Sequence, residues 1–184
     1  VHPEWFGADF AGIKALVGGA GSTDYITANY RGTITGNSVS YRNHGFETGD
    51  VVFISGYADL PGTANSEEGY PVVVVSQDEF TVAALTGTWT GPADTELSFQ
   101  KDSTQPMLAA VAVLNSNKAL TSAQFTKVIM PQGAAIMTAP IVIKLTPFNQ
   151  QNPVLEGQGL EATRIKFITT DWDDTATGTA CISV

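Results

Sequence analysis

Asp171, Asp173 and Asp174, gathered around Trp172, form the acidic cluster of this sequence. Two neighbouring carboxylates can divide the work of glycoside hydrolysis, one as acid and the other as base or nucleophile. With solvent oxygens the same groups can hold a Ca²⁺ ion. The plainer reading is a solvated turn between successive elements. Trp89, Tyr57 and Trp172 are the aromatic side chains whose faces could stack on a sugar ring. Trp5 is expected in a core or cap rather than on a sugar-binding platform. His2 and His44 lie far apart without metal-ligand spacing, so no metal is expected. Neither histidine belongs to a Ser-His-Asp or Cys-His arrangement. Gly157-Gln158-Gly159 lacks the further glycine, lysine and helix of a phosphate cradle, so it reads as turn chemistry. No cofactor is implied. Cys181 is the one cysteine, which rules out an intramolecular disulfide; beside Ile182 and Val184 it reads as a small buried apolar residue.

The elements that must position these groups are β-rich. At 43% hydrophobic and 15% charged, the 184 residues can bury a core under a lightly charged surface. Eighteen acidic residues against nine basic ones leave a net charge of −9, a field that repels nucleic acid. No apolar run is long enough to span a bilayer, so membrane insertion is not expected. The chain begins Val1-His2-Pro3-Glu4 and stops within what reads as a strand, and is therefore expected to be a fragment or processed piece.

Phe10, Ile13, Leu16 and Val17 are spaced for one face of a short helix, which Gly18-Gly19 would end. From Tyr25 to Phe99 the pattern is short strands and turns. Thr33–Thr35 and Ser38–Tyr41 flank Gly36-Asn37, followed by Val51–Gly56, Tyr70–Val75, Phe80–Val82, Trp89 and the Leu97/Phe99 pair. Five or six such strands make a small barrel or sandwich. Asp102 or Ser103 then caps a helix with Pro106 in its first turn and an apolar stripe of Met107, Leu108, Val111, Ala112 and Leu114. The remainder reads as short strands: Lys127–Met130, Ala135–Thr138, Ile141–Leu145, Val154–Gly157, Thr163–Ile168 and Ala180–Val184. Periodicity alone fits a solenoid or a meander.

Four segments, in order, resemble a known family. Trp5-Phe6-Gly7-Ala8 resembles the motif that opens pectate-lyase-like β-helix domains of phage tailspikes. Asp102 to Val111 looks like that family's first helix, displaced late in the chain. Val128 to Met137, with Pro131-Gln132-Gly133, resembles its strand, Pro-x-Gly segment. Leu155-Glu156-Gly157-Gln158-Gly159 with Thr163-Arg164-Ile165 resembles its Leu-x-Gly-x-Gly, Thr-x-Ile segment. The family's Gly-Asp-Gly turn is missing and a β-rich stretch stands in its place. That stretch, with His44 to Val52 and Phe80-Thr81-Val82, looks like a small β-barrel module of phage tail proteins.

The resemblance implies a mainly β fold. Residues 1–21 and 101–184 would begin a right-handed parallel β-helix with one capping α-helix, and 22–100 would be an inserted small β-barrel domain. It implies the N-terminal part of a phage tailspike or tail fibre, assembled in the host cytoplasm and located in the virion tail. Its partners would be itself as a homotrimer, bacterial surface polysaccharide and other virion tail proteins. Any depolymerase activity would lie mostly beyond residue 184. Two alternatives stand beside this: a polysaccharide lyase or glycoside hydrolase using Asp171, Asp173 or Asp174, and a carbohydrate-binding module using Trp89 or Tyr57.

Overall fold

A computed structural model describes residues 2–17, 31–56, 60, 62–86, 95–116, 127–142, 154–159, 162–168 and 182–183. They are mainly strand, with one α-helix among them. The chain divides into two compact units: Gly12–Lys101, and Val1–Ala11 together with Asp102–Val184.

Alternating apolar residues build the first unit. Its strands are β1 (Ile13–Val17), β2 (Arg31–Thr35), β3 (Ser38–Ser40), β4 (Val51–Ser55), β5 (Gly69–Ser76), β6 (Glu79–Val82) and β7 (Glu96–Lys101). They close into a barrel in the order β1-β2-β3-β6-β5-β4-β7, which leaves no sheet edge exposed. β1 runs parallel to β2, and the other pairs are antiparallel. Every second residue points inward. Ile13, Ala15, Val17, Ile34, Val39, Val52, Ile54, Tyr70, Val72, Phe80, Val82, Leu97 and Phe99 share one core. Phe80 sits at its centre, fully buried, with edge-to-face contacts to Phe46 at 5.0 Å, His44 at 5.1 Å and Phe99 at 5.7 Å. Such pairs add to the effect of burial alone.

The helix expected over residues 10–17 is not there. Ile13–Val17 is β1, paired with β7 on one side (Ile13↔Phe99) and β2 on the other (Lys14↔Arg31). Five residues between glycines fit either period, and two flanking strands decide for the extended one. The barrel therefore takes in residues that the sequence assigned to the first segment.

In the second unit, α1 (Thr104–Ser116) buries Met107, Ala110 and Val111, while Ala112 points outward and Leu108 is only half-buried. Of the expected stripe, Met107 and Val111 are the buried members, since a helix laid across few neighbours covers only the i, i+3, i+4 positions; the Leu114 side chain lies outside those described. The 3₁₀ turn Pro3–Phe6 packs against α1, but Trp5 is 71% exposed and Phe6 39%, so Trp5 is neither core nor cap. Ala8 and Phe10, just downstream, enter the core instead.

Six short strands follow: β8 (Lys127–Ile129), β9 (Gly133–Met137), β10 (Ile141–Val142), β11 (Val154–Glu156), β12 (Thr163–Phe167) and β13 (Ile182–Ser183). β11 pairs parallel with β8, β12 with β9 and β13 with β10. Val128, Met130, Ala135, Met137 and Ile141 meet Met107, Ala110 and Val111 in a second core, with Leu155, Ile165 and Phe167 packed against it.

Two motif segments distant in sequence are bonded together here. The Thr163 hydroxyl donates to Pro131 O (2.7 Å) and accepts from Gln158 N–H (3.0 Å). Gly133 N–H donates to Ala162 O at 2.7 Å. On the other edge of β9, Ala134 N–H donates to Phe10 O (2.9 Å) and Ser103 N–H to Ile136 O (2.8 Å). Gly133 has φ +127°, and a Cβ there would lie 2.0 Å from Phe10 O. Only glycine lets the 8–11 segment lie so close to β9.

Candidate functional site

All six residues singled out for chemistry or sugar binding fall outside the described residues: Asp171, Asp173 and Asp174 for catalysis, and Tyr57, Trp89 and Trp172 for stacking. Cys181 does too. The described residues bring together a different polar group, at the start of α1. Asp102 Oδ1 accepts the Thr104 N–H at 2.8 Å and also the Thr104 hydroxyl. The Thr138 hydroxyl donates to Asp102 Oδ2 (3.1 Å), and Thr138 N–H donates to Thr104 Oγ1 (2.6 Å). Ser103 accepts the first intrahelical bond, from Met107 N–H, through its carbonyl. Its hydroxyl faces the other way, accepting from Asp9 N–H (2.9 Å) and donating to Asp9 O (3.1 Å). Asp102 thus supplies the side-chain cap, while Ser103 joins the helix start to the N-terminal segment.

Ser103 and Thr104 are buried, and every polar atom named has a partner. Burial of hydroxyls is tolerated on that condition. A serine or threonine nucleophile needs a base to take its proton. Here both threonine hydroxyl protons go to Asp102, and neither histidine joins the group. His2 stacks on Trp5, with ring centroids 4.8 Å apart. His44 is buried in the barrel, where Nδ1 accepts Phe46 N–H (3.0 Å) and Nε2 donates to Ser76 O (2.9 Å). The Asp102 group works as a structural clip at the start of α1. Sequence reasoning found Asp102 and Ser103 as caps but not their partners Asp9 and Thr138, because nothing local marks a bond across 94 residues.

A second polar group orders the loop before β5. Tyr70 Oη accepts Asn65 N–H (2.9 Å) and donates toward Glu68 Oε2 (3.1 Å), while Asn65 Nδ2 donates to the same Glu68 oxygen (3.0 Å). Burial pushes the Tyr70 hydroxyl above its ordinary 10.0, the Asn65 bond opposes this, and the Glu68 carboxylate adds to it. A phenol held protonated in this way works as a fixed hydrogen-bonding post.

Comparison with known proteins identifies no relative. No family model matches the chain, no curated protein is similar to it, and no solved structure matches it. Among the described residues no group of three or more histidine, cysteine, aspartate or glutamate side chains is placed to hold a metal ion. No helix among them is long and apolar enough to cross a membrane.

Proposed function

We propose that this chain is the N-terminal section of a tailspike- or tail-fibre-like protein. In this reading the second unit begins a right-handed parallel β-helix, and the chain links a virion tail to the part that recognises bacterial surface polysaccharide. Depolymerase chemistry, where the parent has it, lies mostly beyond residue 184.

One observation carries the reading. Three strands are followed by three more, and each of the second set pairs parallel with its counterpart in the first: Val154 with Lys127, Thr163 with Gly133, Ile182 with Ile141. Hairpins would pair neighbours antiparallel. Two successive turns of a solenoid pair each strand with the one a full turn earlier, in unchanged order. The four motif segments support the same reading, since those around Gly133 and Thr163 are hydrogen-bonded to each other. The shared core of Met107, Ala110 and Val111 with β8, β9 and β10 is consistent with a helix that caps the apolar end a first turn would leave open.

Antibodies raised against the purified chain test this on the virions that carry it. They are expected to label the tail and to block adsorption to bacteria with intact surface polysaccharide. Absence of label from tails, or unchanged adsorption despite labelling, overturns the proposal.

A further inference from the structure

An antiparallel sheet that faces solvent on one side places polar residues on its outer positions. Strands β3 and β6 of the barrel obey this, with Ser38, Ser40, Glu79 and Thr81 outward and Val39, Phe80 and Val82 inward. Strands β4 and β5 do not. Val52, Ile54, Tyr70 and Val72 belong to the core, so the alternate positions Val51, Phe53, Gly69, Pro71, Val73 and Val75 lie on the outer face. Val51 stands opposite Pro71 and Phe53 opposite Gly69. A Cβ on Gly69 would meet Val51 Cγ1 at 2.6 Å and the Phe53 ring at 3.1 Å, so these side chains lie over the glycine. Phe53 is itself buried, 3% exposed, so the accessible apolar patch runs from Val51 and Pro71 to Val73 and Val75, the last two 54% and 58% exposed.

The surround is acidic. Thr48 Oγ1 accepts Val74 N–H, which sets Glu47 along one margin of β5. Glu79, opposite Ser76, sets the other, and Asp78 lies in the turn between. Arg42 is near this turn, since Asn43 N–H donates to Asp78. The two described lysines of this unit are already paired, Lys14 with Glu96 and Lys101 with Asp50. The whole unit holds ten acidic against four basic residues, a net of −6. A second copy presenting the same face would set like charges against each other, which is costly at an interface.

We infer that the outer face of β4 and β5 is a docking surface for a protein partner whose contact region is apolar at its centre and basic at its rim. Because the barrel is closed, the partner lies across side chains and adds no strand to an edge. Its apolar centre covers Val73 and Val75, and its cations meet Glu47, Asp78 and Glu79. Rim charges of this kind act mainly on association rate and salt dependence.

The test uses the full chain and a soluble peptide of alternating lysine and valine, with the same peptide carrying glutamate for lysine as its opposite. Backbone resonances of β5 are expected to shift on adding the lysine peptide. Its affinity should fall roughly tenfold in the Val73→Thr/Val75→Thr variant, which keeps the branched shape suited to a strand. It should also fall on raising salt until the Debye length shrinks from about 10 Å to about 3 Å. A Glu47→Gln/Glu79→Gln variant should show a weaker salt dependence while remaining folded. Equal binding of the glutamate peptide, unchanged affinity of the threonine variant, shifts confined to other strands, or self-association through this face would each overturn the inference.

Discussion

Gly133 and Gly159 share a φ of +127°, yet a side chain at the first would collide with Phe10 O at 2.0 Å while the second faces open space. Alanine at either position carries the backbone strain of that region, about 1–3 kcal/mol. At Gly133 it must also drive Phe10 away by about 1 Å to reach a tolerable contact near 3.0 Å. That movement breaks the Ala134 N–H bond to the same carbonyl, about 1 kcal/mol. It also loosens buried Phe10 from Met107 and its neighbours, which costs about 1–2 kcal/mol more in lost apolar contact. Gly133→Ala should therefore cost about 2–3 kcal/mol beyond Gly159→Ala, or about two orders of magnitude in an opening equilibrium. Amide hydrogen exchange measured residue by residue suits the question, because a chain of two units need not unfold in one step. Protection of β9 and β12 should fall in Gly133→Ala by that factor relative to Gly159→Ala, with β5 and β6 unchanged. Equal effects of the two substitutions would refute the packing of the 8–11 segment on β9.

Phe80→Ala removes the ring that touches His44, Phe46 and Phe99, and should cost the barrel about 3–5 kcal/mol. At roughly 4–8 °C per kcal/mol for a unit of this size, its thermal midpoint should drop by more than about 10 °C in a calorimetric scan. Tyr70→Phe tests the raised phenol. The folded state holds that proton above the ordinary value, so its contribution is complete below 10.0 and declines as pH rises past it. Denaturant midpoints measured through the alkaline range should fall more steeply for the native chain than for the phenylalanine variant, and parallel curves would dismiss the effect.

The barrel was largely legible because alternation is a strong signal wherever one face is buried. Gly36-Asn37 and Gln77-Asp78 mark their turns, and Val39, Phe80, Val82, Leu97 and Phe99 all point inward as their spacing requires. β1 was not legible, since apolar residues at 10, 13, 16 and 17 satisfy a helical period and only pairing with β2 and β7 excludes it. Trp5 departs from its expected burial for a similar reason. Its bulk favours burial on average, but the 3₁₀ turn directs Pro3 inward and Trp5 out. The parallel pairings of β8 to β13 have no signature in periodicity, because a strand of three residues reads the same in a hairpin as in a stack. As for the candidate site, side-chain type was the whole of the argument, and type alone fixes no neighbour.

The clip joining Asp9 to Ser103 bears on how such a protein can change. It fastens the points where the chain departs from the second unit and returns to it, and the barrel's own first and last strands are fastened likewise, Ile13 beside Phe99. Each piece seals its own seam. A change in the length of the 12–101 excursion should therefore leave the pairings of β8 with β11, β9 with β12 and β10 with β13 in register, making this junction a socket for new modules.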